Sequence, residues 1–412
     1  MFDILPTELV EEILLYSSVK DIHSVFSAFN KKYSSLSDYF WKQVCLKEDF
    51  TQAYITQEWS ECFQSGMNKK LGYYVHLQDV PAGILEHVYL RTLIIRDIIE
   101  WKNKYIIYYV TDDNKFITIK EITSNNGILF KDEFIIVQND DNVSIYKYNC
   151  SSEVNNYEHY KTLPEKINDI FGICTQYCAA YNHNKKVFSL YKFCDGTTQT
   201  VPLPSDVKFL INKFFNPGKF AISFVSFNEG YRVRVFDIST CSWTLDLVCF
   251  SSTGITNDPN IWFGTNFIGC CDVSYRLRGI YFGPFKVWNN TGKLLLQIDI
   301  EPSQKNYLRC FFTEDNILLT TSDGVITIFD SDGNWTLQFY LGVTFSDIQL
   351  TSGHLFLVLT EGKETADIYD WSMCHNLYTI KLAKQRNKAL CGDFLYCPIN
   401  SENKTYEVIK FC

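Results

Sequence analysis

The chain has 412 residues, of which 46% are hydrophobic and 21% charged, a globular composition whose length predicts two or three domains, or a small one and a large one. Its formal net charge of -9 at pH 7 argues against a protein whose main task is holding nucleic acid, because phosphate binding needs clustered lysine and arginine. Tyrosine and phenylalanine number 26 and 32 and favour strands, so we expect a mainly β chain.

Targeting signals give an expectation for the cellular compartment. No basic segment followed by an apolar stretch opens the sequence, and no run approaches the roughly 18 apolar residues of a membrane span. We therefore expect a cytoplasmic or nuclear protein that is not secreted and does not bind membranes. In a reducing compartment the 15 cysteines would act as small buried hydrophobes.

The N-terminal segment carries start signals for helices. Pro6 precedes a segment in which Leu9 and Ile13 lie on one apolar stripe at i, i+4 spacing. Residues 18–21 have the Ser-x-x-Asp form of a capping arrangement and predict a second helix, whose apolar face begins at Ile22.

A third helix is expected after a serine-rich turn. Asp38 is its predicted cap, and Trp41 lies on its apolar side. Three short helices cannot close a large core alone, so some apolar surface should remain for a partner.

These helices together resemble the F-box family over residues 1–50, although Ser17 stands where the family usually has leucine. The matching segments occur in the family's order: Leu5-Pro6-x-Glu8-Leu9, Ile13-Leu14, Asp21-Ile22, Asn30-Lys31-Lys32-Tyr33 and Phe40-Trp41-Lys42-Gln43-Val44-Cys45. The resemblance implies binding to a Skp-type adaptor and, through it, to a cullin and its RING partner. The positions that it assigns to adaptor binding are Leu5, Pro6, Leu9, Ile13, Ile22 and Trp41. An unrelated helical cap, whose stripe packs on the next domain, is the alternative.

Residues 51–112 are expected to form a helical and irregular linker. Residues 51–67 have aromatic side chains at helical intervals, and the glycines and prolines that follow break the pattern. Short β-like runs at residues 88–95 and 105–110 have no assigned partners.

Residues 113–412 repeat a strand that ends in an aromatic or apolar residue before a polar turn. The strands of this series end near residues 146, 191, 236, 288, 329, 369 and 409. A period in the forties built from short strands is typical of a propeller. Apolar strands and turns on either side of each predict hairpins, and hence four-stranded antiparallel blades.

The fold class that follows is mainly β, an N-terminal α-helical F-box followed by a seven-bladed β-propeller, with eight blades possible. The last blade lacks a downstream outer strand, which residues 116–122 are expected to supply. The architecture resembles the WD-repeat propellers, and the whole chain resembles the F-box/WD-repeat substrate receptors of SCF ubiquitin ligases. Trp-Asp itself is replaced, for example by Trp288-Asn289, so a kelch-like or divergent propeller stays open.

The sequence has no recognisable motif for catalysis or cofactor binding. No metal-ligand spacing, phosphate-binding glycine loop or nucleophile motif is present, so no metal, no cofactor and no enzymatic role is expected. The longest connection between second and third strands holds Tyr275, Arg276, Arg278 and Tyr281, residue types that favour a protein substrate, against the alternative of a solvated loop.

The sequence therefore predicts the substrate-recognition subunit of an SCF-type E3 ubiquitin ligase. It would bind the adaptor through the F-box and an unidentified protein substrate through the propeller. The alternative is a non-catalytic scaffold, or a competitive adaptor-binding protein that delivers no substrate.

Overall fold

The computed structural model describes most of the chain. The described residues are 6–28, 36–48, 50, 58–77, 80–81, 83–89, 92–99, 102–111, 114–124, 128–131, 133–138, 142–149, 156–163, 169–226, 230–250, 260–276, 279–299, 309–321, 323–342, 345–351, 354–360, 364–382, 389–391, 394–400 and 405–411. The chain divides into two compact units. The first comprises Met1–Val137, Tyr146–Tyr160 and Phe345–Cys412, and the second Gln138–Ile145 and Lys161–Thr344.

Among the described residues, four helices begin the first unit, and the second and third of them start at side-chain caps. Ser18 Oγ accepts a hydrogen bond from the Asp21 N–H, which confirms the predicted cap of the second helix. The cap of the third is Ser37 rather than Asp38, because the Ser37 hydroxyl accepts from the Phe40 N–H at 3.1 Å. The helices are α1 Thr7–Leu15, α2 Val19–Ala28, α3 Asp38–Lys47 and α4 Trp59–Leu71.

Three sheets lie wholly in the first unit, and each is antiparallel and four-stranded. In sheet order they are β2 Ile84–Tyr89, β3 Thr92–Ile99, β4 Lys102–Val110 and β5 Phe116–Ser124; β26 Phe345–Thr351, β27 Leu355–Thr360, β28 Thr365–Asp370 and β29 His375–Lys381; and β30 Ala389–Cys391, β31 Phe394–Asn400, β32 Thr405–Phe411 and β1 Tyr74–Leu77.

Four similar sheets make up most of the second unit. They are β10 Ile170–Ile173, β11 Tyr177–Asn182, β12 Val187–Lys192 and β13 Thr198–Pro202; β14 Val207–Asn216, β15 Lys219–Ser226, β16 Gly230–Asp237 and β17 Ser242–Phe250; β18 Asn260–Phe263, β19 Phe267–Arg276, β20 Gly279–Asn289 and β21 Leu294–Ile298; and β22 Arg309–Phe312, β23 Asn316–Thr320, β24 Val325–Asp330 and β25 Trp335–Tyr340.

The eighth sheet has strands assigned to both units. It consists of β6 Ile128–Lys131, β7 Phe134–Gln138, β8 Val143–Asn149 and β9 Asn156–Leu163. The described residues thus form a mainly β chain with eight four-stranded sheets.

The predicted strand series is recovered in full. Its seven members are β8, β12, β16, β20, β24, β28 and β32, and each is the third strand of its sheet. Among the side chains that the structure describes, those of the second strands are the most buried, as in β27, where every residue of Leu355–Thr360 is buried. The hydrophobic core therefore lies between sheets. The outer strands, such as β25, are mostly exposed.

Two expectations about the segment before the repeats are corrected. Residues 74–110, expected to be linker, contain the strands β1 to β4, and β2 to β4 join β5 in an additional sheet. The outer strand of the last sheet is Tyr74–Leu77, not residues 116–122, since Tyr74 pairs with Phe411 and Leu77 with Val408. An N-terminal strand does complete the last sheet, but residues 116–122 are already paired to β4.

A shared hydrogen-bond pattern ends several third strands. Asp237 Oδ1 accepts from the N–H groups of the second and third residues that follow it, and Asp370 Oδ1 does the same. Asn289 Oδ1 accepts from the N–H groups of Thr291 and Lys293, at 3.1 and 2.9 Å. The residue in the Asp place of Trp-Asp is thus a turn cap, and it needs only one oxygen acceptor.

None of the described helices is long and apolar enough to cross a membrane.

Gly72 follows the last residue of α4, and its replacement tests how much this helix end depends on glycine. It adopts a left-handed φ of +74°, and a Cβ there would lie 3.1 Å from the Tyr378 ring. Gly342 has the same φ with nothing within 4 Å. Replacing Gly342 by Ala should cost about 1 kcal/mol of unfolding free energy, and Gly72→Ala more, because it adds the ring contact. Urea denaturation of both variants measures this, and equal losses would contradict it.

The turn caps predict acid sensitivity. Hydrogen bonds from Ser239 and Thr240 lower the pKa of Asp237, and those from Asn334 lower that of Asp330, both from the usual 3.8. Their stabilisation is complete above pH 3.8 and is lost as the pH falls through the lower folded-state values. Asp237→Asn should keep the cap, as Asn289 does, and reduce the loss of unfolding free energy between pH 5 and pH 2. An unchanged pH dependence would count against this account.

Candidate functional site

Helix α1 places one of two apolar stripes on the surface. Val10 and Leu14 are buried, whereas Leu9 and Ile13 are 43% and 47% exposed. Tyr16 continues the exposed line at i+7 from Leu9 and is 87% exposed. We call Leu9, Ile13 and Tyr16 the α1 stripe. Large apolar side chains in a row on one helix are a common form of protein-binding surface.

The α1 stripe is carried on a fixed helix. On another side of α1, the Glu11 carboxylate accepts hydrogen bonds from the Ser37 backbone N–H and from its hydroxyl, at 2.5 and 2.8 Å. This ties α1 to the first turn of α3. Asp38 in turn accepts from the Trp59 N–H at 3.2 Å and ties α3 to the start of α4. The helices hold each other through their N-terminal N–H groups, which have no partner within their own helix.

The remaining residues assigned to adaptor binding have other positions. Pro6 is exposed and precedes α1, and Leu5 lies outside the described residues. Ile22 and Trp41 are each only 1% exposed. The Trp41 ring packs on the Phe63 ring, and the two ring centroids lie 4.8 Å apart. The structure therefore corrects the assignment of Ile22 and Trp41, which belong to the helical core rather than to a contact surface.

Three exposed side chains were missed from the sequence. Tyr16, Tyr39 and Leu46 are 87%, 68% and 50% exposed. Tyr39 and Leu46 are seven residues apart on α3, opposite the buried Val44 and Cys45. Helical spacing from Leu9 would have found Tyr16, and the same rule applied to the polar side of α3 would have found the other two.

The candidate substrate residues lie on a long hairpin. Tyr275 and Arg276 end β19, and Tyr281 lies in β20, where it pairs with Ser274. The side chains of these three residues, and the whole of Arg278, lie outside the described part of the structure. The expected loop is thus largely two paired strands.

In the described part of the chain, the pairing of β19 with β20 extends beyond the pairing of either strand with its other neighbour. β18 pairs with β19 over residues 268–271, and β21 pairs with β20 over residues 285–288. Beyond those residues, the described ladder joins β19 and β20 only to each other, as far as Arg276 and Gly279. The predicted substrate residues lie in this extension.

Two other arginines, Arg232 and Arg234, are engaged in ion pairs. Arg234 donates to both Asp206 oxygens, at 2.9 and 3.0 Å, and also to Asp246. Arg232 donates to Asp246 at 2.8 Å. The hydrogen bond from Arg234 lowers the pKa of Asp206. These charges are matched within the fold and leave little for an anionic ligand.

Metal-ligand types and thiols are distributed through the described residues without forming a metal cluster. No group of three or more His, Cys, Asp or Glu side chains among them could hold a metal ion. Most of the described cysteines are buried, and desolvation raises the pKa of Cys178 to about 12. A buried thiol of this kind is a poor nucleophile at neutral pH. The α1 stripe and the long hairpin carry residues that the sequence predicts to bind partners.

Burial separates the core from the α1 stripe experimentally. Trp41→Ala should lower the unfolding free energy by about 3–5 kcal/mol, because it opens a cavity in the helical core. Leu9→Ala should cost less than about 1 kcal/mol, since much of that side chain is already in water. Urea denaturation followed by circular dichroism measures both. Similar costs for the two would contradict the burial described here.

Comparisons with known proteins identify no family for the chain. No protein-family model matches it, and no curated protein does.

Solved structures that the chain resembles are β-propellers. BamB from Moraxella catarrhalis aligns over 82% of this chain and 98% of its own, with 10% identity and a TM-score of 0.43. The dihydro-heme d1 dehydrogenase NirN aligns over 78% of this chain and 76% of its own, with 12% identity and a TM-score of 0.47. Hsv2 of Kluyveromyces lactis aligns over 64% of this chain and 85% of its own, with 14% identity and a TM-score of 0.39. Similarities this low carry no argument about function.

Proposed function

We propose that this protein is the substrate-recognition subunit of an SCF-type ubiquitin ligase, with the α1 stripe as its contact to a Skp-type adaptor. The observation that supports this most is the exposure of Leu9 and Ile13, two positions that the F-box resemblance assigns to the adaptor. When a partner covers apolar side chains that a fixed helix holds in water, the removal of their surface from water stabilises the complex. Ile22 and Trp41 then act indirectly, by holding the helices in place.

In this proposal the eight four-stranded sheets are the blades of an eight-bladed propeller that resembles the WD-repeat type. The pairing of β1 with β32 supports it, because a strand from the start of the domain completes the sheet at its end. Such pairing covers the edge of β32 and makes β1 the outer strand of this sheet. The propeller would present the substrate, and the hairpin of β19 and β20 is its proposed contact.

The mechanism is proximity rather than catalysis. The adaptor connects the protein to a cullin and a RING subunit, and the substrate held by the propeller gains a high effective concentration near the activated ubiquitin. The protein itself would need no cofactor or metal, and a cytoplasmic or nuclear location follows from that of its partners.

Adaptor binding tests the proposal directly. The full chain should co-elute with a purified Skp-type adaptor, and Leu9→Asp combined with Ile13→Asp should weaken binding at least tenfold. Burying the exposed part of each of these side chains should stabilise the complex by about 1 kcal/mol. In the variants, the introduced carboxylates would have to be desolvated at the contact, which costs free energy. The measurement is the Kd by calorimetry. Leu294→Asp, at a 45% exposed position on β21, is the matched control and should bind normally.

The outcomes separate the alternatives. Wild-type protein that does not bind the adaptor would refute the proposal. Adaptor complexes that exclude the cullin would instead favour a competitive binder, and complexes that recruit the cullin without transferring ubiquitin would favour a scaffold.

A further inference from the structure

The C-terminal end of α4 contacts the turn after β28, and both belong to the first unit. Lys70 Nζ lies 2.9 Å from Glu48 Oε2 and 3.9 Å from Asp370 Oδ2. The same ammonium group lies 5.4 Å from the centre of the Phe50 ring. The Lys70 and Asp370 side chains are only 13% and 2% exposed. Because charges withdrawn from water need close counter-charges, Lys70 and the two carboxylates depend on one another.

Asp370 serves two elements with its two oxygens. Oδ1 caps its own turn, accepting from the N–H and hydroxyl of Ser372 at 3.0 and 2.6 Å. Oδ2 is left to face Lys70 on α4. Asp237 makes the same kind of cap on a half-exposed turn, whereas Asp370 is almost fully buried. Asp370 thus caps its own turn with one oxygen and contacts helix α4 with the other.

Tyr378 on β29 makes a second attachment. Its hydroxyl donates to the Lys69 carbonyl oxygen at 2.5 Å. This carbonyl lies in the last turn of α4 and also accepts from the N–H of Gly72 at 3.3 Å. Burial raises the pKa of Tyr378 well above its ordinary value, so the hydroxyl stays a donor. The Tyr378 ring also stacks with Tyr74 at 6.4 Å, and it lies 3.1 Å from where a Cβ would stand at Gly72.

We propose that Lys70, Asp370 and Tyr378 form a fixed joint that holds α4, and the helices packed on it, to the sheet of β26 to β29 as one body. Neither contact would form if the helices were joined to the sheets by a free tether. Two separate contacts meet at this place: the ion pair of Lys70 with Asp370, and Tyr378, whose hydroxyl bonds a helix-end carbonyl and whose ring stacks with Tyr74. A partner bound to the α1 stripe would then be held at a set angle to this sheet. The joint is inferred without regard to what the partner is.

Hydrogen–deuterium exchange of the full-length protein tests the joint. Asp370→Asn should keep the turn cap, as Asn289 does, while removing the charge opposite Lys70. We expect amides in residues 59–71 to exchange at least tenfold faster in this variant. Asp237→Asn, the same change at an equivalent cap, should leave residues 59–71 unchanged. Tyr378→Phe removes one hydroxyl only and should also accelerate exchange there, so the joint stays testable if Asp370→Asn folds poorly.

Two results would overturn the inference. One is exchange of residues 59–71 at the wild-type rate in both Asp370→Asn and Tyr378→Phe. The other is equal acceleration in Asp237→Asn and Asp370→Asn, which would show that a general loss of stability and not the charge on Lys70 is responsible. Adaptor affinity is measured in parallel: it should change little in Tyr378→Phe, since the α1 stripe is untouched, so failure of the joint and failure of adaptor binding are distinguishable.

Discussion

The pairing of β1 with β32 is the contact on which the first unit depends. It joins residues from near the start of the chain to its last strand, with Leu77 opposite Val408, both buried. A hydrogen bond of 2.8 Å between His76 Nδ1 and Glu407 Oε1 spans the same two strands. Because β1 follows α4 after only Gly72 and one further residue, this ladder also fixes where the helices begin to meet the sheets. Loss of β1 would leave the edge of β32 open to other chains.

The third strands could be predicted because their signal is local. Alternation and a polar turn after an aromatic residue are properties of a few neighbouring residues, as in Ile326 to Asp330, and need no knowledge of the partner strand. The partner of the last strand is a different problem. Residues 74–77 and 116–122 are both short β segments, and the entropy of closing so long a loop hardly distinguishes them. Glycines at 72 and 83 also made residues 74–110 look like a connector, although Gly72 in fact ends α4.

The candidate site shows a limit of periodicity. On α1, Leu9 and Ile13 form one i, i+4 pair, and Val10 and Leu14 form another, rotated by a single residue. Spacing alone identifies both stripes but not which of them faces the core. That choice is made by contacts from distant residues, such as the Glu11 carboxylate on Ser37. For the same reason Trp41 looked like a contact residue, whereas it fills the space between α3 and its neighbours.

The turn caps bear on how such a repeat can change over time. What the turn requires is an oxygen at one position, and Asp237, Asp370 and Asn289 all supply it. Neither the charge nor the preceding tryptophan is part of that requirement. A repeat maintained in this way can drift until its units share a hydrogen bond and little else. Its relationship to other repeats could then be recognised from the backbone geometry of its turns after the sequences had diverged.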